Sequence, residues 1–345
     1  MATTWFLLLG FTLSTYVVLD GFDLGAGLLH LFVAKTEPER RQVIRSIGPV
    51  WDGNEVWLLA TGGTLFLAFP GVLATALSGF YLPIMIVLWL LLLRALGIEL
   101  RHQVHDPLWT SFWDVVFCLS SLLLVVFFGA ALGNVIRGVS FEKEGHFFAP
   151  LWTHFGLRDP VGVLDGYTIL IGVTALVVLA HHGATWLVWK TDGVVRERAE
   201  RVASRLFFVV IATIAAATAA SFVVQPRLLQ GLSERPWGFL FVLPALALLA
   251  VPLFRRRGQL GAAFLASVVH IYGLLGAAAV GLYPWLLPGT QPGVGLTVEN
   301  AAASAYSLRI GLIWWLPGVT FVLLCHRFVY SHLPRVVSAS DEDHH

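Results

Sequence analysis

Nine apolar runs, each long enough to cross a hydrocarbon core of about 30 Å, recur along almost the whole chain. They cover roughly residues 5–32, 50–69, 72–96, 112–132, 164–189, 204–224, 237–254, 260–282 and 306–329. Lipid offers no partner to a backbone N–H or C=O, and the runs are too long for barrel strands, so each must close its hydrogen bonds internally as a helix. Composition excludes the water-soluble alternative. Only 12% of the 345 residues are charged and 57% are hydrophobic, against about 25% charged in a typical soluble domain. The chain reads as an all-α integral membrane protein with about nine transmembrane helices in a single polytopic domain, 1–345.

The first run, behind Met1-Ala-Thr-Thr-Trp5, has no basic leader and outruns a signal peptide's apolar core, so it is expected to stay as a helix. Pro49 suits a helix start. Pro70-Gly71 predicts a tight turn, and Pro83, Pro244 and Pro317 predict kinks. A net charge of +1 suggests no nucleic-acid partner, and Cys118 and Cys325 show no metal-ligand spacing. Orientation follows from basic residues. Sixteen Lys and Arg fall after the odd-numbered runs, among them Lys35, Arg94, Arg101, Arg198 and Arg255. Five fall in the other loops: Arg137, Lys143, Arg158, Arg227 and Arg235. This bias puts the N-terminus outside and the C-terminus in the cytoplasm. The loops 133–163, with Trp152, and 283–305 are too short for separate domains, and no sequence repeat is evident.

Charges within spans are costly and point to function. Asp20 and Asp23 stand three apart in the first run, on one helix face, among Gly21, Gly25 and Gly27. Small residues let a second helix approach closely. The acids either bond to neighbouring helices and water, or mark a polar path or buried ion pair. Trp51-Asp52-Gly-Asn54-Glu55-Val-Trp57 opens the second run. Acids in a first turn are stabilised by the helix dipole alone, yet a desolvated Asp52 near the cytoplasmic face would also serve as a proton relay. His181 and His182 point about 100° apart, so they cannot clasp one haem iron, although a single axial ligand or a hydrogen bond across a helix interface is open to His182. His270 stands alone. Arg309, after Glu299 and Asn300, reads as half of an ion pair, and His344 and His345 as part of a solvated acidic tail. No Walker loop or dinucleotide fingerprint appears.

Leu19-Asp-Gly-Phe-Asp-Leu-Gly25, Gly48-Pro-Val-Trp-Asp-Gly-Asn-Glu-Val-Trp57 and Ser78-Gly-Phe-Tyr81 closely resemble subunit II of the cytochrome bd-type ubiquinol oxidases. His182-Gly-Ala-Thr185, Tyr283-Pro284 and Asn300 follow in the family's order. The resemblance implies two four-helix bundles plus one peripheral helix. Here the first bundle would span 1–132, the remaining bundle helices and the peripheral helix 164–282, and the last helix 306–330. It implies a bacterial inner-membrane complex that reduces O2 to water with quinol, using cytoplasmic protons. The partner, subunit I, would hold haems b558, b595 and d. This chain would stabilise that subunit, hold no haem, and bind quinone as a lipid-like structural element. Asp52 matches a proton-path acid at the subunit interface, and Trp57 a residue at the mouth of an oxygen route. Asp20, Asp23 and Glu55 join the proton path by depth and spacing, and Gly21, Gly25, Gly27, Asn54 and His182 are expected in helix packing. The short outer loops put a small single-helix accessory subunit in doubt. Glu55 stands where some members have Gln, and His181 is an extra histidine. Read without the resemblance, the same buried acids would also suit an ion-coupled transporter, and His182 or His270 a haem-binding electron carrier.

Overall fold

The computed structural model describes every residue except 143–145, 158–159, 236, 292 and 341–345. Lys143, Arg158, His344 and His345 therefore lie outside the described residues. Twelve α-helices are present among the described residues: α1 (Ala2–Val33), α2 (Glu37–Ile47), α3 (Trp51–Ala68), α4 (Pro70–Gly79), α5 (Tyr81–Glu99), α6 (Pro107–Arg137), α7 (Gly166–Lys190), α8 (Gly193–Val224), α9 (Pro226–Glu234), α10 (Leu243–Arg256), α11 (Leu260–Leu282) and α12 (Ala305–His332). Seven of them are long and apolar enough to span a membrane, and eight spans result when α3 and α4 count as one.

The sequence marks many of the helix ends. Asp106 accepts from the N–H groups of Leu108 and Trp109 just ahead of Pro107, so α6 starts where proline costs nothing. Asp165 and Thr168 form a capping box for α7, as Thr36 and Glu39 do for α2. Glu39 also accepts from Lys35 N at 2.6 Å and from Arg198 at 2.7 Å. Burial pushes its carboxyl up, but the bonds from Lys35, Arg198 and Thr36 outweigh this and hold it below its ordinary value. A depressed carboxylate stabilises the fold above its unfolded-state pKa and loses that contribution as pH falls through the folded one. Glu39→Gln is thus expected to lower the melting temperature at neutral pH, with the difference vanishing in acid; a difference that persists in acid would refute the linkage.

The expected spans differ from the observed ones in two places. Pro70 opens a helix instead of making a tight turn, and α4 is bent 118° from α3. Its missing N–H and fixed φ break α3 at Phe69, so the run 72–96 is divided at Phe80 between α4 and α5. The run 237–254 becomes a 3-10 turn, Gly238–Val242, followed by α10. The 14 residues of α10 extend about 21 Å, short of a full crossing. Pro252, which the sequence reading passed over, lies inside α10, and Pro317 lies inside α12. An antiparallel hairpin, β1 (Trp285–Pro288) and β2 (Gly295–Thr297), adds strand to the all-α expectation.

The centre of the structure is α1, whose residues Asp20 to His30 are all buried. It lies against α3, α6, α7 and α11. Lipid tails are as apolar as leucine, so side-chain packing and polar bonds must hold such helices together. On one side of α1, Phe22 stacks on Trp186 with ring centroids 4.0 Å apart, and Phe264 closes the cluster. On that side Gly25 meets Gly183 of α7, so closely that a Cβ on Gly25 would lie 2.2 Å from Leu179 O. Gly27 faces α6, where a Cβ would lie 2.3 Å from Ser121 Oγ. The last helix, α12, is mostly exposed and is tied on by Trp5 Nε1 to Leu308 O and by Trp315 Nε1 to Thr64 Oγ1.

Candidate functional site

The face of α1 opposite its Gly21 and Gly25 contacts with α7 carries the acids. Asp20 accepts two bonds from Arg94 of α5, at 2.7 Å from Nη1 and 2.5 Å from Nη2. Both side chains are 0% exposed. Glu55 of α3 reaches the same guanidinium at 3.9 Å and is itself 26% exposed. The positive charge is thus shared between a fully buried acid and one that touches the surface. Arg94 had been assigned to a loop among the orientation charges, yet it lies within a helix and neutralises the carboxylate that would otherwise be unpaired. A planar guanidinium suits this task because it presents two parallel donors to one carboxylate.

Asp23 belongs to a second chain of contacts. Its Oδ2 accepts from Asn54 Nδ2 at 2.8 Å, while its Oδ1 is buried without a hydrogen-bond partner among the described residues. Asn54 Oδ1 in turn accepts from the hydroxyl of Tyr330 on α12 at 2.8 Å. Tyr330 stacks on His326, and His326 Nε2 accepts from Trp57 Nε1 at 3.1 Å. Asn54 and Trp57 are buried on the side of α3 that meets α1 and α12, and Trp57 is edge-on to Phe11. Asp52 lies on the other side. It is exposed, in line with Val56, Leu59 and Phe66, all of them also exposed. The expected desolvation of Asp52 is therefore absent from this chain by itself, because helical spacing turns position 52 away from α1.

His182 crosses a helix interface. Its Nδ1 lies 2.7 Å from Ser267 Oγ on α11, and its Nε2 lies 3.1 Å from Val18 O on α1. With both ring nitrogens engaged it does not fit an axial haem ligand. His181 is buried beside it with no partner at Nε2 among the described residues; His270 bonds Pro244 O through Nδ1. No group of three or more His, Cys, Asp or Glu able to hold a metal ion is present among the described residues. Arg309 is exposed and forms no ion pair within 4 Å among the described residues, so the pairing expected with Glu299 does not form; Asn300 instead closes a turn on Thr297 and Gly295.

A second buried ionic cluster escaped the sequence reading. Asp114 of α6 accepts from His30 and Arg101 at 2.6 Å each, and from Arg40 at 3.1 Å. Arg101 also bonds Glu37. The signal was present, since His30 and Asp114 are polar residues inside expected spans, just as Asp20 is.

Comparison with known proteins identifies the family of this helical chain. Residues 1–333 match the family described as cytochrome bd terminal oxidase subunit II. The chain belongs to that family. It is 32% identical to a protein of Haemophilus influenzae named probable cytochrome oxidase subunit 2, over 95% of this chain and 93% of that one. It is 32% identical to the cytochrome bd ubiquinol oxidase subunit 2 of Bacillus subtilis, over 92% of this chain and 91% of that one. The solved bd oxidase from Geobacillus thermodenitrificans contains a chain of similar fold. Its TM-score is 0.77 at 15% identity, covering 95% of this chain and 97% of that chain. As a bd subunit II, the chain joins its central helix α1 to α5 through the buried Asp20–Arg94 pair and to α6 through His30 and Asp114.

Proposed function

We propose that this chain is the non-haem subunit of a quinol:O2 oxidoreductase of the bacterial inner membrane, and that it supports a haem-bearing subunit I and gives protons a way inward. The observation that carries this reading is the polar line at α1, α3 and α5. Exposed Asp52 and half-buried Glu55 stand one helical turn apart, Glu55 reaches Arg94, and Arg94 holds Asp20 in the core. The exposed row Asp52, Val56, Leu59 and Phe66 on α3 is an apolar face with an acid at one end. A partner bundle laid on it would supply the desolvation that Asp52 lacks here. The bare Oδ1 of Asp23 offers an acceptor for a water or a proton farther in.

The haems b558, b595 and d are assigned to subunit I. Supporting this, His182 is already bonded at both nitrogens. Quinone is proposed only as a structural element, and a small accessory subunit is left with little outer loop to lean on. The proposed topology has nine spans, with the N-terminus outside and the C-terminus cytoplasmic. It counts α3 with α4 as one span and α10 with its preceding 3-10 turn as another, and the two proposed bundles with a peripheral helix are built from these. Trp57, buried beside Phe11, is proposed to flank the route of oxygen, a small apolar gas that favours apolar walls.

Asp52→Asn is expected to slow oxygen reduction by the purified complex by roughly a hundredfold, the lower end for loss of a positioned proton-transfer group. The haem spectrum and assembly should be unchanged. Full turnover in that variant would remove Asp52 from the proton route. A reduced-minus-oxidised spectrum of the complex, compared with one of this chain alone, separates the reading from an electron carrier: the isolated chain should be colourless. A colourless chain that moved a solute without any partner would favour a transporter instead.

A further inference from the structure

A cavity of about 510 Å³ lies where α1 ends, α2 begins and the turn after α5 meets the start of α6. Lys35, Arg40, Arg41, Arg101, His105 and Ser111 are among its lining residues. We propose that it binds the phosphate headgroup of an anionic phospholipid.

Three observations support this. The first is the state of the charges. Lys35, Arg40, Arg41 and Arg101 face the carboxylates Glu37 and Asp106, with Asp114 beneath. Each carboxylate is already bonded: Asp114 to His30, Arg40 and Arg101, Glu37 to Arg41 and Arg101, and Asp106 to the N–H groups that open α6. Lys35 is exposed and directs one of its three ammonium N–H groups to Leu31 O at 3.0 Å, so the others can face an anion. An anion with several oxygens would fill donors that the acids leave open, and guanidinium groups suit phosphate well.

The second is the wall beside the cavity. Leu108, Phe112, Val115 and Leu119 are all exposed at helical spacing along one side of α6, and Phe32 is exposed at the end of α1. A headgroup in the cavity would lay its acyl chains along this strip, whereas free phosphate or a soluble acidic peptide would make no use of it. The third is depth. The cavity lies at the end of three helices long enough to span, on the side of the basic α1–α2 and α5–α6 connections. Basic pockets between spanning helices at such a position bind anionic headgroups.

The test uses the intact oxidase complex, washed of lipid in detergent and offered phosphatidylglycerol or phosphatidylcholine, with bound lipid counted by native mass spectrometry. Phosphatidylglycerol should be retained in preference. Lys35→Gln combined with Arg41→Gln should weaken that retention about tenfold, from roughly fivefold per cation less screening by salt. Arg256→Gln combined with Arg257→Gln, which changes an exposed basic turn outside this cavity, should leave it unchanged. An unaltered haem spectrum and melting temperature certify folding, and Lys35→Gln alone serves if the double variant fails to assemble. Equal loss in both double variants would reduce the effect to general surface attraction and overturn the site. Absence of a preference for phosphatidylglycerol would overturn it too, and displacement by millimolar inorganic phosphate would make this a free-phosphate site.

Discussion

Arg94→Gln is expected to strip the chain, and the complex that depends on it, from the membrane. The guanidinium and the Asp20 carboxylate are both 0% exposed and joined by two bonds at 2.5 and 2.7 Å. Removing one partner leaves the other charge buried without compensation, at a cost of about 3–5 kcal/mol. Against a total stability of about 5–15 kcal/mol for a typical domain, that loss is large. Glu55 cannot take over, because it is an acid as well and shares the same cation. The informative companion is the double variant Asp20→Leu/Arg94→Leu. With both charges gone and apolar volume in their place, most of the stability should return. Membrane content of the chain and the melting temperature of the complex provide the readout. An Arg94→Gln chain that accumulates and melts as the unsubstituted one does would show that the ion pair does not hold α1 to α5. The double variant also separates structure from transport. If it assembles but turns over slowly, the pair belongs to the proton route; if it assembles and turns over at full rate, the route runs elsewhere.

The sequence showed the cost of these charges but not their partners. Asp20 stood out because an acid in an apolar run has few structural excuses. Arg94 is equally deep, yet it lies only two residues inside the expected end of its run at 96, where a cation reads as an orientation charge. The helix in fact continues to Glu99, which places Arg94 more than a turn inside it and makes a core cation of one that reads as a loop charge. Tyr330 and His326 were illegible for another reason. They come from the far end of the chain, and only the docking of α12 on α3 brings them to Asn54 and Trp57. Asp52 shows the opposite limit. Periodicity places residues on faces without saying which face is covered, and position 52 is exposed in this structure. The apolar runs themselves were legible, since bilayer thickness demands them whatever the packing.

Gly183→Ala should separate α1 from α7 although it adds only one methyl group. A Cβ at Gly183 would lie 2.3 Å from Gly25 C and 2.6 Å from both Gly25 Cα and Ala26 N. These are backbone atoms in the middle of two helices, so no rotamer change relieves the contact, and the helices must part by about an ångström to restore van der Waals distance. Overpacking of this kind costs roughly 1–3 kcal/mol or more. The displacement would reach further than the contact itself. His182, the adjacent residue, would lose its bond to Val18 O, and Phe22 would move off Trp186. On the far side of α1 the same shift would push Asp20 and Asp23 against Arg94 and Asn54, linking a packing change to the proposed proton line. Gly10→Ala in α1 supplies the contrast, because nothing lies within 4 Å of a Cβ there. A helical glycine replaced by alanine in open space gains about 0.5–1 kcal/mol. The same substitution is thus expected to have opposite signs at the two positions, read as melting temperatures of the complex. Equal tolerance of alanine at 10 and 183 would mean that α1 and α7 are not in contact at Gly25, and the tight packing that brings the buried acids to their partners would have to be abandoned.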